Sequence, residues 1–212
     1  MTQEQLVEYI TQRVLEQLRG PVGRLIPVGV SARHLHLSRE HMDILFGEGS
    51  ELTVRNWLYQ PGTFAANETV TLIGPRRIIQ RVRIVGPIAR HTQVEISRTD
   101  AIQLGIDAPV RRSGDLEGTP GAVLVGPKGV VRLERGVIVT QRHIHCSPEE
   151  AEALGIKDGD LVRVRAPGQK AVVFENVLVR VSPNFRLEFH IDTDEANAAE
   201  LTCHSLVELL PD

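Results

Sequence analysis

The sequence predicts a mainly β protein built as two related halves, each a small barrel or sandwich, with short capping helices and an amphipathic helix at the N-terminus. Three observations carry this reading. Short apolar runs alternate with Gly/Pro turns along most of the chain. Brief helical patches interrupt them, each beginning at a capping residue. A histidine-bearing segment occurs twice.

Residues 1–20 read as one helix, because Leu6, Val7, Ile10, Val14, Leu15 and Leu18 recur at spacings of three and four. Gly20-Pro21 ends it, and Gly23 follows as a short linker. Such a helix either packs on the body or serves as a tail whose apolar face docks in a partner's groove. From Leu25 the character changes. Strand-like runs fall at Thr69–Ile73, Ile78–Val85, Gln93–Ile96, Ala122–Val125, Gly136–Val139, Leu161–Val164, Ala171–Phe174, Val177–Val181 and Arg186–Ile191. Most are short, and the pattern of short runs between turns suggests small barrels or sandwiches, not a parallel α/β sheet. Helical patches are expected at about 38–46, 99–105, 148–154 and 193–200. Their starts are marked by Ser38, by Ser97 or Thr99, by Ser147-Pro148, and by Asp192 or Thr193.

The repeat is the strongest signal. Residues 28–38 read VGVSARHLHLS and residues 137–147 read VIVTQRHIHCS. Each has a strand-like run, then Arg-His-apolar-His, then a serine able to cap a helix. A weaker pair follows: residues 94–101 read VEISRTDA and residues 189–196 read FHIDTDEA. Aligned, Glu95 falls on His190 and Ser97 on Asp192. Two related halves facing each other about a pseudo-two-fold axis follow from this.

The chemistry of the repeat is metal binding. On a strand, residues i and i+2 share a face about 6.5–7 Å apart. His34 with His36, and His143 with His145, can therefore converge on one ion each. Glu95 and His190 supply a third base to each set. Two histidines plus a glutamate, and three histidines, are both known sets for catalytic zinc, and neither contains a thiolate. Such sets also accept cobalt, iron or manganese. A single His-x-His is weak, since most are strand histidines without a ligand role; two in register across a repeat are not. His41, His91 and His204 fall outside the repeat and read as ordinary surface or helix residues, and Cys146 reads as buried packing. Arg33 and Arg142 each precede a His-x-His. Each is either an anion contact or a salt bridge supporting the strand. Residues 111–121, RRSGDLEGTPG, form a loop that is either a plain turn or an anion cradle.

Composition excludes other classes. With 42% apolar and 24% charged residues the chain has matter for a core and is not disordered. A net charge of −3, with only 5 Phe, 2 Tyr and 1 Trp, argues against a general nucleic-acid binder. No uncharged apolar run approaches the roughly 20 residues of a membrane span. The N-terminus is polar and charged, unlike a secretory signal. Two cysteines, Cys146 and Cys203, are too few for a disulfide scaffold and fit a reducing cytoplasm. No Walker A loop or Rossmann fingerprint is present, so nucleotide hydrolysis and hydride transfer have no support.

Taken together, SARHLHLS, QPGTFAANETVTLIGP, TQVEISRTDA, SGDLEGTPG, GVIVTQRHIHCSPEEA and FHIDTDEANAA resemble the PduL-type phosphotransacylases, also called phosphate propanoyltransferases. The resemblance covers about residues 24–200, in order. It implies two small β-barrels with short capping helices, one formed by residues 24–32 plus 141–210 and the other by residues 33–140. It implies exchange of an acyl group, propanoyl or acetyl, between coenzyme A and phosphate. It implies two divalent metal ions, usually zinc, on His34, His36 and Glu95 and on His143, His145 and His190. Ser113 would lie in the phosphate region, and Arg33, Arg111 and Arg142 are candidate phosphate or coenzyme A contacts. Residues 1–20 would be an encapsulation peptide that docks on shell or cargo proteins in the lumen of a bacterial microcompartment. A homodimer is expected. One departure stands out. The family often has arginine at the position of Ala89, so either its neighbour Arg90 replaces it as the candidate catalytic arginine, or phosphate binding is weakened or the chain is an altered variant. Rival readings of the same residues are a two-metal hydrolase and a non-catalytic microcompartment scaffold.

Overall fold

The computed structural model describes residues 24–211. The helix expected at residues 1–20 lies outside them. The elements are β1 (Leu25–Ser31), β2 (His34–His36), α1 (Arg39–Phe46), β3 (Val54–Trp57), β4 (Phe64–Ile73), β5 (Ile78–Gly86), β6 (Gln93–Glu95), α2 (Arg98–Leu104), β7 (Val110–Arg111), β8 (Ala122–Val125), β9 (Val130–Leu133), β10 (Val137–Thr140), β11 (His143–Cys146), α3 (Pro148–Leu154), β12 (Leu161–Ala166), β13 (Val172–Val181), β14 (Glu188–Asp192), α4 (Thr193–Ala199) and β15 (Leu206–Leu209).

The strands form two sheets. One is a closed barrel in the order β1-β14-β11-β13-β12-β15, with β15 pairing back onto β1. The other runs β7-β10-β6-β2-β5-β4-β8-β9, with β3 on β4, and curls without closing. The mainly β class read from the sequence is the one observed. Each sheet wraps its own apolar core. The curled sheet buries Leu35, Leu72, Ile84 and Leu124, while the barrel buries Ile26, Ile144, Val179 and Phe189. Fully burying one such side chain is worth about 1.5–3 kcal/mol, so each half holds itself together.

The two sheets exchange strands. β1 belongs to the barrel but leads into β2 of the curled sheet; β10 belongs to the curled sheet but leads into β11 of the barrel. The chain therefore crosses between sheets at Ala32-Arg33 and again at Gln141-Arg142, immediately before each His-x-His. This symmetric exchange brings the two histidine segments to the seam between the halves.

Local chemistry explains the details. The four helices among the described residues start at a residue the sequence marks: Ser38, Ser97, Ser147 and Asp192 each accept a backbone N–H of the first turn. Where two starts were open, the residue that faces the orphan N–H groups is Ser97 rather than Thr99, and Asp192 rather than Thr193. The runs Ala171–Phe174 and Val177–Val181 join into one strand, β13, bent by a bulge at Asn176 (φ 56°). β5 bends in the same way at Arg81 (φ 56°), its counterpart in the other half. β3 escapes a periodicity reading because all four of its residues are exposed.

Candidate functional site

The repeat holds in three dimensions. β2 pairs antiparallel with β6 so that His34 faces Glu95 and His36 faces Gln93. β11 pairs antiparallel with β14 so that His143 faces His190 and His145 faces Glu188. The two pairings have the same register, so each half presents a square of four side chains on one face.

In the first square, His34 Nε2 lies 3.7 Å from Glu95 Oε2, and His36 Nε2 lies 4.0 Å from Glu95 Oε1. Ligand atoms of His34, His36 and Glu95 all fall within 4.8 Å of one another, and so do those of His143, His145 and His190. The rings of His143 and His190 stack at 4.9 Å, and His145 sits 4.6 Å from each. The ring nitrogens are not equivalent. His34 Nδ1 contacts the Ala32 carbonyl at 2.9 Å, His36 Nδ1 the Val85 carbonyl at 3.1 Å, and His143 Nδ1 the Gln141 carbonyl at 2.8 Å. A carbonyl only accepts, so Nδ1 carries the proton and Nε2 keeps a free lone pair. Both nitrogens of His145 are buried with no hydrogen-bond partner. Orphaned buried nitrogens of this kind are costly unless something binds them, and a cation fits.

The charge states suit ligation. Burial, then His190, pushes the His143 imidazole down to about 3. Burial, then His143 and His190, holds His145 well below the usual histidine range. Burial, then His34, lowers His36. Burial opposes ionisation of Glu95, but His34 and His36, then a hydrogen bond from Thr140, bring its carboxyl down to about 2. The shifts favour the neutral imidazole at His36, His143 and His145 and the ionised carboxylate at Glu95, which are the forms that bind metal. The two squares are neighbours: Thr140, whose hydroxyl donates to Glu95, lies three residues before His143.

Other candidate residues divide. Arg33 Nε binds Asp100 Oδ2 at 2.9 Å, and Arg142 Nε binds Glu195 Oε1 at 2.9 Å. These contacts are repeat-equivalent: each arginine holds the third residue of a helix, α2 or α4, that follows the third ligand. Ser113 Oγ accepts from Gln93 Nε2 at 2.8 Å, which ties the 111–121 loop to the first square. Arg111 stays at the loop's edge, 3.7 Å from Asp115. Arg90 is exposed and makes no side-chain hydrogen bond or ion pair among the described residues; Ala89 bridges Ser38 through the backbone. Cys146 is buried on the opposite strand face, and burial pushes its thiol up to about 11.

Sequence reasoning missed Arg180, Phe185, Gln60, Gln93, Thr140 and Glu188. Arg180 faces His145 across β11 and β13, and has no carboxylate within 4 Å among the described residues. Its buried Nε is unpartnered. Phe185 stacks on His145 at 3.9 Å. Arg180 has no repeat signal, because its counterpart on β5 is Val85. Gln93 and Glu188 were legible: each stands two residues before a third ligand and so on the same strand face.

The fold and the site define a mainly β protein with paired base-rich squares at the seam of two exchanged sheets. The family model for phosphate propanoyltransferase matches residues 27–202. Similar curated proteins carry that name: one from Thermotoga maritima is 54% identical over 94% of each chain. One from Lachnoclostridium phytofermentans is 50% identical over 96% of this chain and 98% of its own, and one from Salmonella typhimurium is 50% identical over 92% of each. The chain belongs to the phosphate propanoyltransferase family. It is an enzyme, a phosphate acyltransferase. No helix among the described residues is long and apolar enough to cross a membrane.

Proposed function

We propose that the protein transfers a propanoyl or acetyl group between coenzyme A and inorganic phosphate at a site that holds two divalent ions, with zinc the best match to the donors. The observation that carries this is the equal register of the two squares, which aligns His34, His36 and Glu95 with His143, His145 and His190. The pinned Nδ1 atoms and the orphaned nitrogens of His145 support it. Bound ions would supply Lewis acidity for the thioester carbonyl and a template for phosphate.

The chain's own residues do the rest. Arg180, a guanidinium without a carboxylate partner beside His145, meets the incoming phosphate. Ser113, fixed by Gln93, offers a hydroxyl at the edge of the same square. A phosphate oxygen attacks the thioester carbonyl carbon, the carbon–sulfur bond breaks, and coenzyme A leaves as its thiolate. No enzyme nucleophile is needed, and the only buried thiol, Cys146, points away with a raised pKa. Arg33 and Arg142 contact phosphate or coenzyme A only through Nη groups that their ion pairs leave open, and Arg111 through Nη2, since its Nη1 donates to the Val110 carbonyl. Arg90 acts from a loop, where a one-residue shift from Ala89 need not reverse the side chain.

We extend the same reading to organisation. Residues 24–32 with 141–210 form one domain and residues 33–140 the other. Two chains pair as a homodimer, and residues 1–20 dock on shell or cargo proteins inside a bacterial microcompartment.

The test is thiol release from propanoyl-CoA and acetyl-CoA, with and without phosphate, before and after chelation. Release that requires both phosphate and metal is expected. Release without phosphate would make the protein a hydrolase. No release from folded, metal-loaded protein, restored by Ala89→Arg, would show that Arg90 does not replace the family arginine.

A further inference from the structure

Each square has a fourth member that is not a candidate ligand. It is Gln93 in the first and Glu188 in the second, two residues before Glu95 and His190. Both are buried. In the first, Gln93 Nε2 donates to Glu95 Oε1 and to Ser113 Oγ (2.8 Å), and Gln93 Oε1 accepts from the Gly114 N–H (2.7 Å). In the second, Glu188 Oε2 lies 2.9 Å from His190 Nε2, a close contact that is off the line of a full hydrogen bond. The same oxygen accepts from Gln60 Nε2 at 2.9 Å. Gln60 stands before β4 in the other sheet. It is clamped there by Arg186, donating to its carbonyl (2.9 Å) and accepting its N–H (3.1 Å).

The polarity is matched to the partner. A carboxylate ligand accepts only, and it faces an amide donor. An imidazole can donate from one nitrogen, and it faces a carboxylate. The space is shaped for this. Gly29 pairs with His190 across β1 and β14, and a Cβ there would stand 2.5 Å from Glu188 Oε1.

We infer that Glu188, held by Gln60 across the seam, is the positioning residue of the second triad, and that Gln93 serves the first with the opposite polarity. This rests on the two-ion reading above. Contacts that orient ligands in this way typically change metal affinity by about 10–100-fold when lost. Because Gln60 comes from the other sheet, the geometry of the second triad depends on the two halves being packed together.

The experiment is zinc titration against a chromophoric chelator, with cobalt substitution for a visible spectrum. It uses the full chain, alone and in a His36→Ala background that leaves one triad. Wild type is expected to bind two ions per chain. Glu188→Gln is expected to weaken the site remaining in the His36→Ala background by about 10–100-fold and to change its cobalt spectrum. Gln60→Ala moves the same site in the same direction. It tests the idea without touching the square, should Glu188→Gln fold poorly by circular dichroism. Gln93→Glu weakens the other site instead. Two ions in wild type with unchanged affinity and spectrum in folded Glu188→Gln or Gln60→Ala would overturn this inference alone. No ion in wild type would overturn the two-ion reading itself.

Discussion

Replacing Gly29 by alanine probes the space around Glu188 directly. Gly29 sits in strand β1 outside the left-handed region, so alanine suits its backbone. In open space the exchange would stabilise by about 0.4–1 kcal/mol through the unfolded chain. Here the new Cβ meets Glu188 Oε1 at 2.5 Å, Cδ at 2.7 Å and Cγ at 3.1 Å. To reach ordinary contact near 3.5 Å the carboxylate must retreat by about 1 Å. A retreat of that size displaces Oε2 as well and is expected to break the 2.9 Å bond it accepts from Gln60, because donors and acceptors much beyond 3.2 Å no longer bond well. A hydrogen bond to a buried charge is worth about 1.5–3 kcal/mol. The net expectation is destabilisation by about 0.5–2.6 kcal/mol, or about 1–10 °C in Tm for a chain of this size. The assay is urea unfolding followed by circular dichroism. The decisive arm is the double-mutant cycle with Glu188→Ala, which empties the space. There Gly29→Ala should become neutral or stabilising. An equal cost in both backgrounds would refute the steric argument.

Three further outcomes are expected. Arg33→Ala should destabilise more than Arg142→Ala, by about 1–3 kcal/mol with half-exposure of the arginine discounted. Asp100 is buried with Arg33 as its side-chain ion-pair partner, whereas Glu195 also accepts the Asp192 N–H of its capping box; equal Tm losses would contradict this. Native protein should release one equivalent of colour with a thiol reagent and two after denaturation, since Cys203 is exposed and Cys146 buried; fast reaction of both would contradict the barrel packing. His36→Ala should bind one ion fewer and lose turnover by orders of magnitude. A full complement of metal at wild-type rate would remove the first triad from the site.

Much of this protein is legible along the chain because its signals are local. Helix starts are written in Ser38, Ser97, Ser147 and Asp192, whose side chains act within their own first turn. The candidate ligands are written in a two-residue period, and the repeat supplies their partners. What the chain cannot show is set by distance in sequence. Arg33 and Arg142 were open between anion contact and salt bridge, and their Nε atoms are taken by Asp100 and Glu195 only once α2 and α4 are packed. Arg180 carries no repeat signal and gains meaning only when β13 lies beside β11. Gln60 reaches Glu188 across 128 residues and from one sheet to the other. The sequence by itself determined the β class, the two halves and the six candidate ligands, because pleat periodicity and capping need only near neighbours. The tertiary structure decided which sheet closes, how strands are exchanged, and which polar groups support the ligands, because burial leaves each such group only the partners that the other half brings to it.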